Sequence, residues 1–315
     1  MQISIIIINR NSRLFANRLM ETLISSCERI EKCSEIIIVD NASTDNCLQV
    51  FEEYSKKIRR PLIKIIRLKR NAGFCYAVNV GIALARSQLV AILNPDLYVD
   101  SNWLIPILRV FETLPRAGIV QPQIYWYQYP ERVQSLGLYA DIIGNYKDNK
   151  FGSKVILAPF GAAYVVRRDV FMKIGSLDPI YFMYGDELDL GLRMWLSGWM
   201  VVLEPRSRVY HYMGGITPPS AYFSNLKYFL MRRNQIITLA KLLSLKYLLI
   251  ILPLLFVVNI LRGIQSRQEL RSILAAYMNI ARNIRYITIK RYQYLKVKVL
   301  SESKLHRWGL FRPLI

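Results

Sequence analysis

The chain has 315 residues, enough for one large domain or two smaller ones, and 53% of them are apolar, with a mean hydropathy of +0.20. That is high for a freely soluble protein, but the apolar residues are spread too evenly for a transporter with many spans. Lysine and arginine total 43 against 22 acidic residues, a net charge of +21. Such an excess points to a polyanionic partner: nucleic acid, an anionic lipid surface or a phosphorylated substrate.

The first hundred residues alternate between two periodicities. Short β-branched runs at Ile3–Ile8, Glu35–Val39, Ile63–Leu68 and Leu89–Leu93 read as strands buried on both faces. Between them, Leu14–Ile30, Ser43–Lys57 and Gly73–Ala85 read as helices, with Ser43 as a cap for the second. This alternation predicts a doubly wound α/β sheet, in which ligands sit beyond the carboxyl ends of the strands. Those ends carry Asn9 and Asn11, Asp40 and Asn41, Asn71, then Asn94 and Asp96. Cys27, Cys33, Cys47 and Cys75 form no CxxC pair and lie far from His211 and His306, so reduced thiols are expected rather than zinc. The Ile3–Ile8 run begins without a basic region or cleavage site before it, so no signal peptide is expected.

After Asp100 the pattern changes. A helix is expected over Ser101–Phe111, then an aromatic, irregular region over Gln121–Lys154 and a strand at Gly161–Val166. Trp199–Leu203 and Arg208–His211 read as two closing strands. From about Tyr222 the chain is helical, apolar and basic. The apolar run Leu242–Leu261 reaches the roughly 20 residues needed to cross a bilayer only by including Ser244, Lys246 and Asn259. Leucine, isoleucine and tyrosine interleave with the basic residues that follow. That mixture fits an anionic membrane surface better than nucleic acid, for which no recognised fold accompanies it.

Asp186, Glu187 and Asp189 place three carboxylates within four positions of an aromatic and apolar stretch, a costly arrangement to bury without a use. Asp186 follows Gly185 and suits a helix N-cap. Asp189 suits the first turn with Arg193 as its i,i+4 partner. Glu187 has no such structural role. Asn71-Ala72-Gly73 opens a helix whose N-terminus suits a phosphate, with Lys69 and Arg70 just upstream.

Ser4–Ser12, Ile38–Asp45, Asn71–Phe74 and Leu93–Asp96, followed by Gly161-Ala162-Ala163, Phe182-Met183-Tyr184 and His211, resemble in order the motifs of family 2 glycosyltransferases, nearest the branch that includes rhamnosyltransferases. The resemblance implies a GT-A fold over residues 1–215, an α/β doubly wound, mostly parallel sheet, with 216–315 as a helical, membrane-associating extension. It implies an inverting, metal-dependent transfer from a nucleotide-diphosphate sugar to a glycan or lipid-linked acceptor, at the cytoplasmic face of a membrane. Asp40 takes the position that contacts base and ribose, and Asn9, Asn11, Asn41, Asn71, Gly73, Asn94 and Asp96 join it as the implied donor-binding residues. Asn94-Pro95-Asp96 takes the place of the metal-binding DxD motif. With Asn94 replacing the first acid, Asp96 and His211 are the implied ligands of Mg²⁺ or Mn²⁺. The base falls on Glu187, with Asp186 and Asp189 as alternatives, since Asp186-Glu187 reverses the family's order. Arg10 stands where the family commonly has tyrosine. A sugar-1-phosphate nucleotidyltransferase would need a glycine-rich basic loop after the first strand, and Asn9-Arg10-Asn11-Ser12 is not one. A non-catalytic membrane or polyanion binder on the same fold is the third reading.

Overall fold

Every residue of β1 (Ile3–Asn9) is buried, which explains why its isoleucine run does not alternate with polar residues. The structure is a computed structural model describing residues 1–149, 152–214, 221–265, 267–308 and 310–312. In it, β1 is the middle of a parallel set with β2 (Cys33–Asp40), β3 (Leu62–Arg67) and β4 (Leu89–Leu93), in the order β3-β2-β1-β4. Helices α1 (Ala16–Glu28), α2 (Cys47–Lys57) and α4 (Leu104–Thr113) cover one face, where Leu19, Leu23, Phe51 and Ile107 meet Ile5, Ile7, Ile36 and Ile38. Helices α3 (Phe74–Leu84), α5 (Arg168–Lys173) and α6 (Asp186–Leu196) cover the other, against Ile6, Ile8, Ile37 and Val39. The sheet is doubly wound, as the alternation predicts.

Beyond β4 the sheet is mixed. β10 (Ala163–Arg167) runs antiparallel to both β4 and β6 (Ala117–Trp126). β6 is parallel to β11 (Met200–His211), and β5 (Leu97–Val99) closes the edge antiparallel to β11. The two closing strands expected from sequence are this one strand, its pairing shifted between Glu204 and Arg208, where Pro205 offers no N–H. The region expected to be irregular contains several strands. It holds the end of β6, then β7 (Val133–Ser135) paired to it, and a small second sheet of β8 (Leu138–Asp141) and β9 (Tyr146–Asp148).

Two local expectations are corrected. Helix α2 starts at Cys47 behind Asn46 in a left-handed conformation, so Ser43 does not cap it; Asp45 Oδ1 accepts the Cys47 N–H at 3.1 Å instead. Cys27 and Cys33 are joined in a disulfide, because the short turn from α1 to β2 brings their Cα atoms to 5.3 Å, while Cys47 and Cys75 are buried free thiols.

The C-terminal part is built from α7 (Ala221–Leu242), α8 (Leu245–Gln265), α9 (Arg267–Arg282), α10 (Ile284–Val297) and α11 (Glu302–Arg307), and β12 (Phe311–Arg312) pairs with β8. The expected boundary between 215 and 216 lies outside the described residues. Ile237 and Leu242 of α7 join the same core as α6. Fully buried Lys241 bridges Asp178 at 2.9 Å and Asp189 at 3.1 Å, and Arg193 pairs with Asp189 at 2.6 Å. Helix α8 buries Ile251, Leu255 and Asn259 and turns Leu249, Phe256, Val257 and Ile264 outward. Among the described residues it is the one helix long and apolar enough to cross a membrane.

Candidate active site

A cavity of about 740 Å³ opens beyond the carboxyl ends of β1 and β4, where a doubly wound sheet is expected to bind ligands. Its wall includes Arg10, Asn41, Asn71, Asn94, Asp96, Asp186, Glu187 and His211. Strand β4 delivers Asn94 and Asp96 just past its last residue, and β11 delivers His211 as its own last residue.

Asp96 and His211 are both 5% exposed and face each other, with Nε2 of the imidazole 3.3 Å from Asp96 Oδ1. The Tyr212 N–H donating to the Asp96 carbonyl at 2.9 Å ties the two segments together. On the other side of the ring, Nδ1 lies 3.0 Å from Gln134 Oε1, while the Gln134 amide nitrogen donates to Met213 Sδ at 3.2 Å. That orientation makes Nδ1–H the donor, so in the neutral ring the Nε2 lone pair faces a carboxylate oxygen. Such a pairing calls for a proton or a cation between the two, and a carboxylate plus an oriented imidazole fits a divalent ion completed by phosphate and water. Among the described residues no three His, Cys, Asp or Glu side chains are grouped so as to hold a metal ion.

Helix α6 begins at Asp186, with Gly185 rather than Asp186 at the N-cap, in a left-handed conformation. Glu187 therefore projects from the first turn into the cavity. Its Oε2 is shielded from solvent and has no hydrogen-bond partner. Glycine at position 161 leaves room for this placement: a Cβ on Gly161 would press against Glu187 Oε1, and the carboxylate would have to shift. Burial pushes the Glu187 carboxyl above the usual carboxylate range. Asp186 is pushed up further, first by burial and then by the charge of Glu187.

Asp189 is turned away from the cavity. It is fully buried, and its oxygens take the Tyr181 hydroxyl at 2.8 Å, Arg193 Nε at 2.8 Å and Lys241 at 3.1 Å. Burial alone would raise its pKa, but the two cations outweigh that and hold it below the ordinary range. Of the three acids, only Asp186 and Glu187 line the cavity.

The strand-end residues divide into a wall and a brace. Asn41 and Asn71 reach the wall, and Arg10 does so while donating to the Asn41 carbonyl at 2.9 Å. Asn9, Asn11, Asp40 and Gly73 are not on it. Buried Asn9 donates to Asp40 Oδ1 at 2.7 Å, and Asp40 also accepts from the Ser43 N–H at 3.2 Å, so this carboxylate locks β1 to β2. Asn11 accepts the Thr44 N–H at 2.8 Å. Gly73 has φ +85°, and a Cβ there would come within 2.6 Å of the Phe182 carbonyl. The close approach this glycine permits is thus by Phe182, which accepts the Cys75 N–H at 3.3 Å and covers the start of α3 where a phosphate was expected. Lys69 and Arg70 are exposed and off the wall.

Several contributors are not evident from sequence. Gln134 orients His211 from β7, across 77 residues. Asn234 of α7 is fully buried, and its Nδ2 lies 3.0 Å from the carbonyls of Tyr181 and Met183 and 2.6 Å from that of Tyr184. Arg233 adds a bond to the Tyr181 carbonyl at 3.0 Å. This clamp holds a loop in which Phe182, Tyr184 and Gly185 all have positive φ, the segment that aims Glu187. The polar run Arg232–Gln235 interrupting an otherwise apolar stretch of α7 is the signal that marks it.

The family described as "Glycosyl transferase family 2" matches residues 4–175, more than half the chain. An inactive polypeptide N-acetylgalactosaminyltransferase-like protein 5 of Macaca fascicularis is 30% identical over 56% of this chain and 44% of its own. An N-acetylglucosaminyl-diphospho-decaprenol L-rhamnosyltransferase of Mycobacterium tuberculosis is 25% identical over 58% of this chain and 67% of its own. The chain thus spans less than half the length of the first of these relatives. Among solved structures, GalNAc-T7 with UDP, GalNAc and Mn²⁺ superposes with a TM-score of 0.61 at 20% identity, covering 78% of this chain and 49% of that one. The mannosyltransferase PcManGT of Pyrobaculum calidifontis, with GDP-Man and Mn²⁺, gives 0.56 at 11% identity over 98% and 87%. The sheet and its flanking helices are the GT-A fold, and the chain belongs to glycosyl transferase family 2.

Proposed function

We propose that this chain is an inverting, metal-dependent glycosyltransferase that moves a sugar from a nucleotide-diphosphate donor to a hydroxyl of a glycan or lipid-linked acceptor. The observation that carries the reading is the shared cavity: an unpartnered Glu187 oxygen opposite an Asp96–His211 pair that calls for a cation. The Glu187 carboxylate, on the cavity wall, accepts the acceptor's hydroxyl proton. The acceptor oxygen bonds to the anomeric carbon from the face opposite the diphosphate, and the bond from that carbon to the diphosphate oxygen breaks with its electron pair. Inversion follows from a single displacement. Asp96 and His211 would hold Mg²⁺ or Mn²⁺, which when bound neutralises charge on the departing diphosphate.

A carboxyl raised by burial suits the base, because its proton affinity lies nearer to that of the task at neutral pH. Asp186 is raised further, by burial and by the charge of Glu187, so the pair disfavours carrying two negative charges at once. Arg10, Asn41, Asn71 and Asn94 are the donor's polar contacts on the wall, and Asn9, Asn11, Asp40 and Gly73 support them from behind. The solved neighbours carry nucleotides or nucleotide sugars with Mn²⁺, and the mycobacterial relative's name gives it a diphospholipid acceptor. Both support the substrate classes proposed here. The exposed apolar face of α8 and the basic helices after it support attachment at the cytoplasmic face of a membrane.

The test begins with a thermal-shift screen of nucleoside diphosphates with and without manganese, followed by transfer from the sugar nucleotide that binds. Asp96→Ala is expected to abolish the metal-dependent shift. Glu187→Gln is expected to lower kcat at least about a hundredfold while leaving nucleotide binding in place. Turnover retained in Glu187→Gln would move the base to Asp186.

A further inference from the structure

The same cavity carries positive charge that the donor chemistry above does not use. Lys147 of β9 and Lys227 of α7 line the cavity, and the Lys227 ammonium lies 5.7 Å from the ring of Tyr184, another wall residue. Behind the wall residue Tyr146, two guanidiniums are linked through neutral amides. Arg232 donates to Gln235 Oε1 at 3.3 Å, Gln235 donates to Asn145 Oδ1 at 3.1 Å, and Arg262 donates to the same oxygen at 3.1 Å. Each arginine is half-buried, and burial and then the charge of Arg262 disfavour the charge of Arg232. Asp148 on the same wall and Glu269 near Arg232 offset part of this, against four cations. Arginines held together by neutral acceptors keep N–H donors available for a multivalent anion, in the fork geometry that phosphate takes.

The position of Arg262 indicates how that anion arrives. It lies in the last turn of α8, whose outer face exposes Leu249, Phe256, Val257, Leu261 and Ile264. A molecule with an apolar tail along α8 would bring its headgroup to Arg262 and its sugar into the cavity.

We propose that Lys147, Lys227, Arg232 and Arg262 form a second phosphate subsite, separate from Asp96 and His211, that holds the diphosphate of a lipid-linked acceptor. This rests on the transferase reading above and narrows its acceptor class.

The test is equilibrium binding of farnesyl diphosphate to the full chain in EDTA, which keeps metal from drawing the probe to Asp96. Farnesol and inorganic pyrophosphate serve as controls. Farnesyl diphosphate is expected to bind at least about tenfold more tightly than either control. The double variant Arg232→Gln/Arg262→Gln is expected to weaken it by about tenfold or more, and Asp96→Ala to leave it unchanged. Lys227→Gln, at an exposed position, is expected to weaken binding about threefold and covers the case in which the double variant does not fold. Equal binding of farnesol, equal binding of pyrophosphate, loss in Asp96→Ala, or wild-type affinity in the arginine variant (in Lys227→Gln if that variant is unfolded) would each overturn the subsite. Nucleoside diphosphate binding with Mn²⁺ is measured in parallel. Its failure while farnesyl diphosphate binds would remove the donor reading and leave the subsite standing.

Discussion

Glu187 and Gly161 work as a pair. A glutamate carries one methylene more than an aspartate, and the missing Cβ at position 161 is what lets its carboxylate sit against β10's approach. Gly161→Ala is expected to fold normally and to lose about a hundredfold in kcat, because an added Cβ displaces the carboxylate by the ångström or so that positioning tolerates least. Unchanged kcat in the alanine variant would remove Glu187 from the chemistry. Its neighbour Asp186 gives a stability prediction of definite sign. A carboxyl whose folded pKa is raised binds its proton more tightly folded than unfolded, so stability falls as pH rises from the ordinary carboxylate range of about 4 through the raised value. Asp186→Asn is therefore expected to raise Tm at pH 7.5, with the gap closing toward pH 4. Asp189 has the opposite sign, since its cations lower its pKa and their contribution is lost on acidification.

At the scale of elements, α7 is the support of the acidic loop. Asn234 and Arg233 hold the carbonyls of Tyr181, Met183 and Tyr184, and Lys241 ties α7 to Asp178 and Asp189. Positive φ at Phe182 and Tyr184 costs about 1–3 kcal/mol each, and the clamp offsets that cost. Asn234→Ala is expected to destabilise the protein by about 1–3 kcal/mol in chemical denaturation and to reduce kcat with nucleotide affinity unchanged. A matching loss of nucleotide affinity would show that the loop serves the donor site instead. The residues of this clamp are more than forty positions from the loop they hold, and no local periodicity reports such a pairing.

At the scale of the whole molecule, a basic chain presents, among the described residues, one long apolar helix that is packed into the protein along a single edge. Ile251, Leu255 and Asn259 face inward and the opposite arc faces out, an arrangement suited to lying in a membrane interface. The protein is expected to co-sediment with vesicles of phosphatidylcholine and phosphatidylglycerol, less so at 0.5 M salt as charge is screened. Leu249→Glu/Phe256→Glu should reduce binding by about a hundredfold, since two exposed apolar side chains lose roughly 1.5 kcal/mol or more each on leaving lipid. Wild-type protein that stays in the supernatant with these vesicles would end the membrane proposal.

The alternation of β-branched runs with amphipathic segments was enough to determine the parallel half of the sheet and the polar rim at its strand ends, because burial on both faces leaves no freedom of pattern. Ordered motifs likewise singled out Asp96, His211 and Glu187, and all three line one cavity. Which rim residues face the cavity was decided by tertiary contact alone. Asp40 is drawn inward by Asn9 and Ser43, Asp189 by Arg193 and Lys241, and Gly73 is covered by Phe182. The sequence carries the same carboxylates whether they are spent on neighbours or left open to a ligand. Only packing between distant segments distinguishes a carboxylate held by cations, like Asp189, from one, like Glu187, with an oxygen that has no hydrogen-bond partner.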